Sequence, residues 1–401
     1  MSSLRTAERA ALALTAAFTV LAGAANYGSW ASVPRFLLAT VSLAGLAWIV
    51  SFATEQLGER FGPGVTGMLQ STLGNLPELF VVIFALQKHE LVVAQTAIVG
   101  SVFANALLVL GLVIVVGASR SPDGVMRFSN RLPRDTATLL VVTVFIIVVL
   151  GLSLGAHDRA SHHYKTISAV GAGCLLVVYL TWVIPYLRSD VAPGGETARQ
   201  TRGDGRAEAG SDAGRETRAA ADREAVATAE AARLGADGAP ASPRAHGSPR
   251  LSLGASLALL FLAGAASAFV SDWFVNALAP AIKVLSISQA FAGLVIVAIA
   301  GNAVENTAGI VLAYRRRYDL AISVVKNSVA QIAAFLFPLI VLISFALATT
   351  LTFSLAPVYI GALVLTALAL AQVTGDGEAA AFEGWALIAA YVILATLAQY
   401  E

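Results

Sequence analysis

Charge is what this sequence has least of. Only 13% of its 401 residues are Asp, Glu, Lys or Arg, against about 25% in soluble domains. Hydrophobic residues make up 57%, and mean hydropathy is +0.75. That balance excludes a soluble globular core. Cysteine is nearly absent: Cys174 stands alone, so no intrachain disulfide can form, and within its apolar run it reads as a small packing residue. The five histidines, His89, His157, His162, His163 and His246, all fall in loops or at helix ends. With no deep histidine and no deep aspartate pair, an intramembrane hydrolase is not expected, and the chain reads as no enzyme. No basic patch is interleaved with aromatics, so no nucleic-acid partner is expected either.

What is present is a series of long apolar runs. Eleven segments are near the ~20 residues needed to cross a bilayer. They lie at 9–27, 34–54, 66–87, 91–117, 136–155, 164–187, 251–270, 287–314, 318–345, 351–372 and 383–400. Alternating barrel strands are missing, so the expected fold is an all-α polytopic membrane protein with about eleven transmembrane helices. Arg5 and Arg9 precede the first run, which reads as a span rather than a cleaved leader.

Residues 188–250 break the pattern. They hold ten Arg, ten Asp or Glu and almost no large apolar residue, the composition of a disordered linker. The expected organisation is an N-terminal helix over 1–33, a five-helix repeat over 34–187, a cytoplasmic linker over 188–250 and a second five-helix repeat over 251–401. Positive residues set the orientation. With the N-terminus cytoplasmic, short inner segments hold ten (Arg5, Arg9, Arg60, Arg120, Arg127, Arg131, Arg134, Arg315, Arg316, Arg317) and outer ones five (Arg35, Lys88, Arg159, Lys165, Lys283). A multi-pass protein of the cell (inner) membrane follows, with its C-terminus on the opposite side. An oligomer is compatible with this reading.

Two stretches carry the chemistry: "GNLPE" at 74–78 and "GNAVE" at 301–305. Each places Gly, Asn and Glu at the same spacing within an apolar segment. Segments three and eight are five positions apart in the series, an odd number, so the motifs run antiparallel, as in inverted-repeat transporters whose site lies at the midplane. Glu78 is about twelve residues, or ~18 Å, into its span, and Glu305 is similarly deep. A carboxylate there is costly and marks a functional site. Pro77 lacks an N–H and is expected to break the helix, while Gly74 and Gly301 admit a close backbone. Asn75 and Asn302 add side-chain oxygens. The following spans supply amides and hydroxyls: Gln95, Ser101 and Asn105 in "QTAIVGSVFAN", and Lys326, Ser328 and Gln331 in "KNSVAQ".

Oxygen ligands without thiolate or imidazole suit hard cations such as Ca²⁺. Two carboxylates in low dielectric cannot both stay ionised without a cation, so cation and proton compete for Glu78 and Glu305. That is antiport in its simplest form. A channel, the remote alternative, would need no buried titratable pair. No cofactor is expected; the transported cation is cargo, and the bilayer, H⁺ and Ca²⁺ or a monovalent cation are the partners.

The stretches "TLGNLPELFVVIFAL", "VVAQTAIVGSVFANALLVLG" and "GLVIVAIAGNAVENTAGIVLAYRRRYDLAISVVKNSVAQIAAFLFP" resemble the two α-repeats of the cation/proton exchanger family, within the calcium/cation antiporter superfamily. The resemblance implies eleven helices and Ca²⁺ exchanged for H⁺, with Glu78 and Glu305 as central metal ligands. Three features depart from it. Asn306 stands where the family usually has His, so the carboxylates must carry the proton, or Na⁺ replaces H⁺. The linker lacks an acidic run. "KNS" replaces "LGS" and introduces Lys326. Pro77 is similar to the sodium/calcium branch. Na⁺ (or K⁺)/H⁺ and Na⁺/Ca²⁺ exchange are therefore the alternatives. Lys326 has two readings. It is a locally paired lysine outside the site, which its angle of ~147° from the Asn327–Ser328–Gln331 face favours, or a built-in cation selecting monovalent ions.

Overall fold

The computed structural model describes residues 5–28, 30–61, 74–128, 131–191 and 251–401. Most of the expected linker, 192–250, lies outside the described residues. In chain order the helices are α1 (Thr6–Tyr27), α2 (Ser32–Phe61), α3 (Leu76–Gln87), α4 (Leu91–Ser119), α5 (Arg131–Ala156), α6 (Tyr164–Val191), α7 (Leu253–Leu285), α8 (Gln289–Gly301), α9 (Ala303–Tyr314), α10 (Tyr318–Ser344), α11 (Pro357–Thr374) and α12 (Ala381–Gln399). Among the described residues nine helices are long and apolar enough to cross a membrane, and α8 with α9 makes a bent tenth. α3 is shorter, and the first part of the expected 66–87 span falls among residues 62–73, outside the described residues. The fold is thus all-α and polytopic. Large apolar side chains such as Phe145, Phe261, Phe269 and Phe382 project outward, where hydrocarbon takes the place of water.

Three expected spans have different limits. The seventh does not stop at 270 but continues to Leu285. Asp272 interrupts the apolar run without ending the helix, because its carboxylate is paired with Lys88 at 2.6 Å. The tenth begins at Pro357, not 351. Pro357 starts a helix readily but disfavours helical geometry before it. Residues 351–356 instead pack as an extended segment: Leu351 N–H donates to Ser344 Oγ at 2.9 Å and Phe353 N–H to Ser168 Oγ at 3.3 Å. The eighth, expected to be one segment over 287–314, bends by 58° at the Gly301–Asn302 break.

Helix packing rests on close glycine crossings. α2 lies along α7, and α4 crosses α8. A Cβ on Gly100 would sit 2.5 Å from Leu294 Cα, and one on Gly293 would sit 2.9 Å from the Val93 carbonyl. Gly111 of α4 meets Gly384 of α12 the same way, each 2.6 Å from the other's carbonyl oxygen. Small residues let transmembrane backbones approach, which gains dispersion contacts that lipid cannot supply.

Loop pairing sorts the helix ends onto two faces. On one, Gln289 Nε2 donates to Glu90 Oε2 at 2.8 Å, His89 Nδ1 lies 2.9 Å from Thr349 Oγ1, and Gln399 Nε2 donates to the Ser286 carbonyl at 3.0 Å. On the other, β1 (Val125–Arg127) pairs antiparallel with β2 (Glu378–Ala380), joining the α4–α5 loop to the α11–α12 loop. There Arg127 Nε reaches Glu378 Oε1 at 3.2 Å and Arg127 Nη1 reaches Asp123 Oδ2 at 2.5 Å. The Arg127 hydrogen bond holds the exposed Asp123 carboxyl below the usual carboxylate range. Also on this face, Ser121 Oγ and Tyr318 OH are 2.9 Å apart, and Arg120 lies 4.5 Å over the Tyr314 ring.

Candidate functional site

Both motifs fold alike. Asn75 precedes α3 with φ −96 and ψ 17, and Asn302 precedes α9 with φ −102 and ψ 17. Each main-chain carbonyl then accepts from the residue four on: Leu79 N–H at 2.9 Å and Asn306 N–H at 3.0 Å. The glutamate is the third residue of each new helix, where free N–H groups and the helix dipole favour an anion. Pro77 sits second in α3, where a missing N–H costs nothing, directly after the turn at Gly74 and Asn75; the residues before that turn, where the expected break would show, lie outside the described residues. The Pro77 carbonyl accepts from Ser271 Oγ of α7 at 3.4 Å. Sequence reasoning missed Ser271, since nothing distinguishes it from other small residues in α7.

Glu78 is 1% exposed. A chain of polar groups runs from it across the two halves. Ser101 Oγ of α4 donates to Glu78 Oε1. Ser101 Oγ accepts from Asn302 Nδ2 at 3.0 Å. Asn302 Oδ1 accepts from Asn105 Nδ2 at 3.0 Å, and that amide also donates to the Ser101 carbonyl at 3.0 Å. Asn302 Nδ2 is shared with the Ala298 carbonyl at 2.9 Å. Gly301 lies beside the Glu78 side chain, within ordinary van der Waals distance. Glu78, Ser101, Asn105, Asn302 and Gly301 therefore meet at one point, where α3 and α4 face the α8–α9 break.

The second half is described less fully. The Glu305 side chain lies outside the described residues; its backbone belongs to the first turn of α9. Ser101 follows Glu78 by 23 positions, and Ser328 follows Glu305 by the same 23 (328 − 305). Both serines sit just before a π-turn: Ala104–Val109 in α4 and Ile332–Leu336 in α10. Such wide turns are frequent at functional sites. Among the described residues, four side-chain oxygens on α4, α9 and α10 are buried without a hydrogen-bond partner: Asn105 Oδ1, Asn306 Oδ1, Asn327 Oδ1 and Ser328 Oγ. Neutral oxygens left unsatisfied in a buried region suit a hard cation. Asn75 is buried at the head of α3 and Gly74 in the turn before it, and Gln331 is half-buried at the head of its π-turn.

Two expected residues are directed elsewhere. Gln95 Nε2 donates to the Ser354 carbonyl at 2.8 Å, in the segment before α11. Lys326 is fully buried, and its amine donates to Thr374 Oγ1 at the end of α11. Thr374 in turn donates to the Leu370 carbonyl at 2.6 Å. Lys326→Leu is accordingly expected to leave the preference between Ca²⁺ and Na⁺ within about twofold. It should instead lower thermal stability by ~1–3 kcal/mol through the lost amine bond. Melting in detergent and paired-ion flux in vesicles check both parts. A swing of tenfold or more toward Ca²⁺ would return Lys326 to the site.

Residues 31–185 and 255–399 match the sodium/calcium exchanger protein family, leaving out the charged linker. A Ca²⁺/H⁺ antiporter of Synechocystis sp. is 27% identical over 384 residues, 94% of each chain. The Ca²⁺/H⁺ antiporter ChaA of Bacillus subtilis is 26% identical over 368 residues, 91% of this chain and 92% of its own. The solved structure of native YfkE superposes with a TM-score of 0.72 at 23% identity, covering 98% of this chain and 100% of that one. That of the H⁺/Ca²⁺ exchanger CAX gives 0.64 at 13% identity, covering 98% and 93%. The shared architecture and a family match across both halves lead to one conclusion: this chain belongs to the sodium/calcium exchanger protein family.

Proposed function

We propose that the chain is a secondary antiporter that exchanges Ca²⁺ for H⁺ through competition at Glu78 and Glu305. The observation that carries this reading is the buried chain Asn105–Asn302–Ser101–Glu78, which joins a carboxylate of one half to the motif of the other. The Synechocystis and Bacillus relatives, both Ca²⁺/H⁺ antiporters by name, support the choice of ions. Residues 34–187 and 251–401 act as two inverted repeats around this point, with 1–33 as an additional helix and 188–250 as a cytoplasmic linker. The N-terminus and the β1–β2 face are cytoplasmic, on the positive-residue count, and the chain resides in the cell membrane.

The chemistry follows from the donors. With Glu78 ionised, the Ser101 hydroxyl donates to it; with Glu78 protonated, the same hydroxyl can rotate and accept. The site therefore tolerates both charge states without repacking. A bound divalent cation stabilises ionised glutamates and expels protons, and protonation removes the charge that holds the cation. A second reading, Na⁺ as the coupling ion, is favoured by Asn306: an amide neither takes up nor releases a proton at physiological pH, and its buried oxygen is a neutral ligand.

The deciding experiment is cation-driven proton movement in reconstituted vesicles, with Ca²⁺, Na⁺ and K⁺ compared. Ca²⁺ is expected to drive the largest proton flux. Ca²⁺ uptake that needs Na⁺ and ignores a pH gradient would replace the first reading by the second.

A further inference from the structure

Two turns in this protein share a backbone conformation but differ in what their side chains do. Lys88, His89 and Glu90 join α3 to α4; Arg315, Arg316 and Arg317 join α9 to α10. Each residue of the second turn lies 227 positions after its counterpart (315 − 88), the same offset as Glu305 from Glu78 (305 − 78). His89 has φ 63 and Arg316 has φ 59, both in the left-handed region. The flanking residues match as well: φ −96, ψ 13 at Lys88 and φ −82, ψ 9 at Arg315, then φ −87, ψ 60 at Glu90 and φ −95, ψ 65 at Arg317.

The first turn is tied down by all three side chains. Lys88 Nζ pairs with Asp272 Oδ1 at 2.6 Å and also donates to Asn276 Oδ1. Asn276, one turn further along α7, donates to the other Asp272 oxygen at 3.0 Å, closing a three-residue cluster. His89 meets Thr349, and Glu90 accepts from Gln289 of α8. At the second turn, Arg315, Arg316 and Arg317 are exposed and make no side-chain hydrogen bond or ion pair among the described residues. At the same offset, α2 presents Gly45 and Ile49 where α7 presents Asp272 and Asn276 (272 − 227 and 276 − 227). Neither can hold a cation.

An inverted-repeat carrier alternates between states related by a pseudo-two-fold axis in the membrane plane, so their relative stability is set by contacts present on one face only. We propose that Lys88, Asp272 and Asn276 form a one-sided latch. It holds α3 against α7 and biases the carrier toward the state closed at the 88–90 face. This rests on the exchanger reading above. Ser271 strengthens the connection to the site: it neighbours Asp272 and donates to the Pro77 carbonyl, next to Glu78. Loosening the latch raises the population open at the 88–90 face, and apparent affinity on each face scales with the fraction of carrier open there.

The test is sided flux by the reconstituted full chain. Lys88→Ala and Asp272→Ala are each expected to lower the KM for Ca²⁺ offered at the 88–90 face about two- to fivefold, the range of a half-exposed ion pair, and to raise it on the opposite face. The double variant should do no more than either single one. The charge exchange Lys88→Asp with Asp272→Lys should return both values toward those of the parent, which keeps the test decisive if an alanine variant folds poorly. An active parent whose variants, the exchange included, keep both KM values unchanged overturns the latch and leaves the exchanger standing. A parent with neither Ca²⁺-driven proton flux nor Na⁺-dependent Ca²⁺ flux overturns both.

Discussion

Glu78→Gln is expected to eliminate Ca²⁺-driven proton exchange, by at least ~100-fold, while the protein still folds. Glutamine has nearly the same shape, and its amide oxygen can still accept from Ser101 Oγ, so packing around this buried side chain survives. What disappears is the titratable charge. The amide neither releases a proton when a cation arrives nor balances the cation while it is bound. A factor of 100 corresponds to about 2.7 kcal/mol, a modest share of what a desolvated divalent ion gains from a carboxylate. Flux in vesicles and thermal melting in detergent separate the two contributions. If the variant melts like the parent yet transports at a near-normal rate, Glu78 is a structural residue and the competition mechanism fails.

Gly100→Ala is expected to produce the largest loss of stability among single methyl additions to the described helices. The new methyl would press on the backbone of Leu294, 2.5 Å from its Cα and 2.6 Å from its carbonyl oxygen. A backbone cannot rotate aside as a side chain can, so α4 and α8 must separate. Overpacking of this kind typically costs ~1–3 kcal/mol. Function should fall further than stability, because Ser101 is the next residue and its 3.0 Å contact with Asn302 spans the same crossing. Gly173→Ala is the control: among the described residues, no atom beyond its own helix backbone lies within 4 Å of the added methyl, so only helix propensity changes, which favours alanine. Melting temperatures of the three proteins compare the effects directly. Equal stability of Gly100→Ala and Gly173→Ala would mean that α4 and α8 can part at this crossing with little loss of packing.

The sequence revealed the polytopic helical class and the paired motifs because both depend on composition and spacing. Glu78, Asn302, Ser101 and Asn105 could be grouped from residue type and depth alone, because a polar side chain deep in hydrocarbon is too costly to keep without a role. Other features were hidden for physical reasons. Asp272 reads as the end of an apolar run; only its partner 184 positions away, Lys88, lets the helix continue. Gln95 has the same residue type and setting as a ligand amide, but its acceptor is a main-chain carbonyl in a distant loop. Pro338, second in the helix segment after the π-turn of α10, is a weak signal for that turn, and the turn in α4 has none. The three-residue strands β1 and β2 are too short for any periodicity to announce them.

The burial of Lys326 bears on how this protein is made. Lysine near the centre of a span costs about 2.5–3.5 kcal/mol on insertion scales, and α10 also carries Asn327, Ser328 and Gln331. Thr374, the acceptor of the Lys326 amine, is synthesised 48 residues later. The insertion penalty of Lys326 is thus offset in part by a helix that follows it in the chain, so the stability of α10 in the bilayer depends on α11.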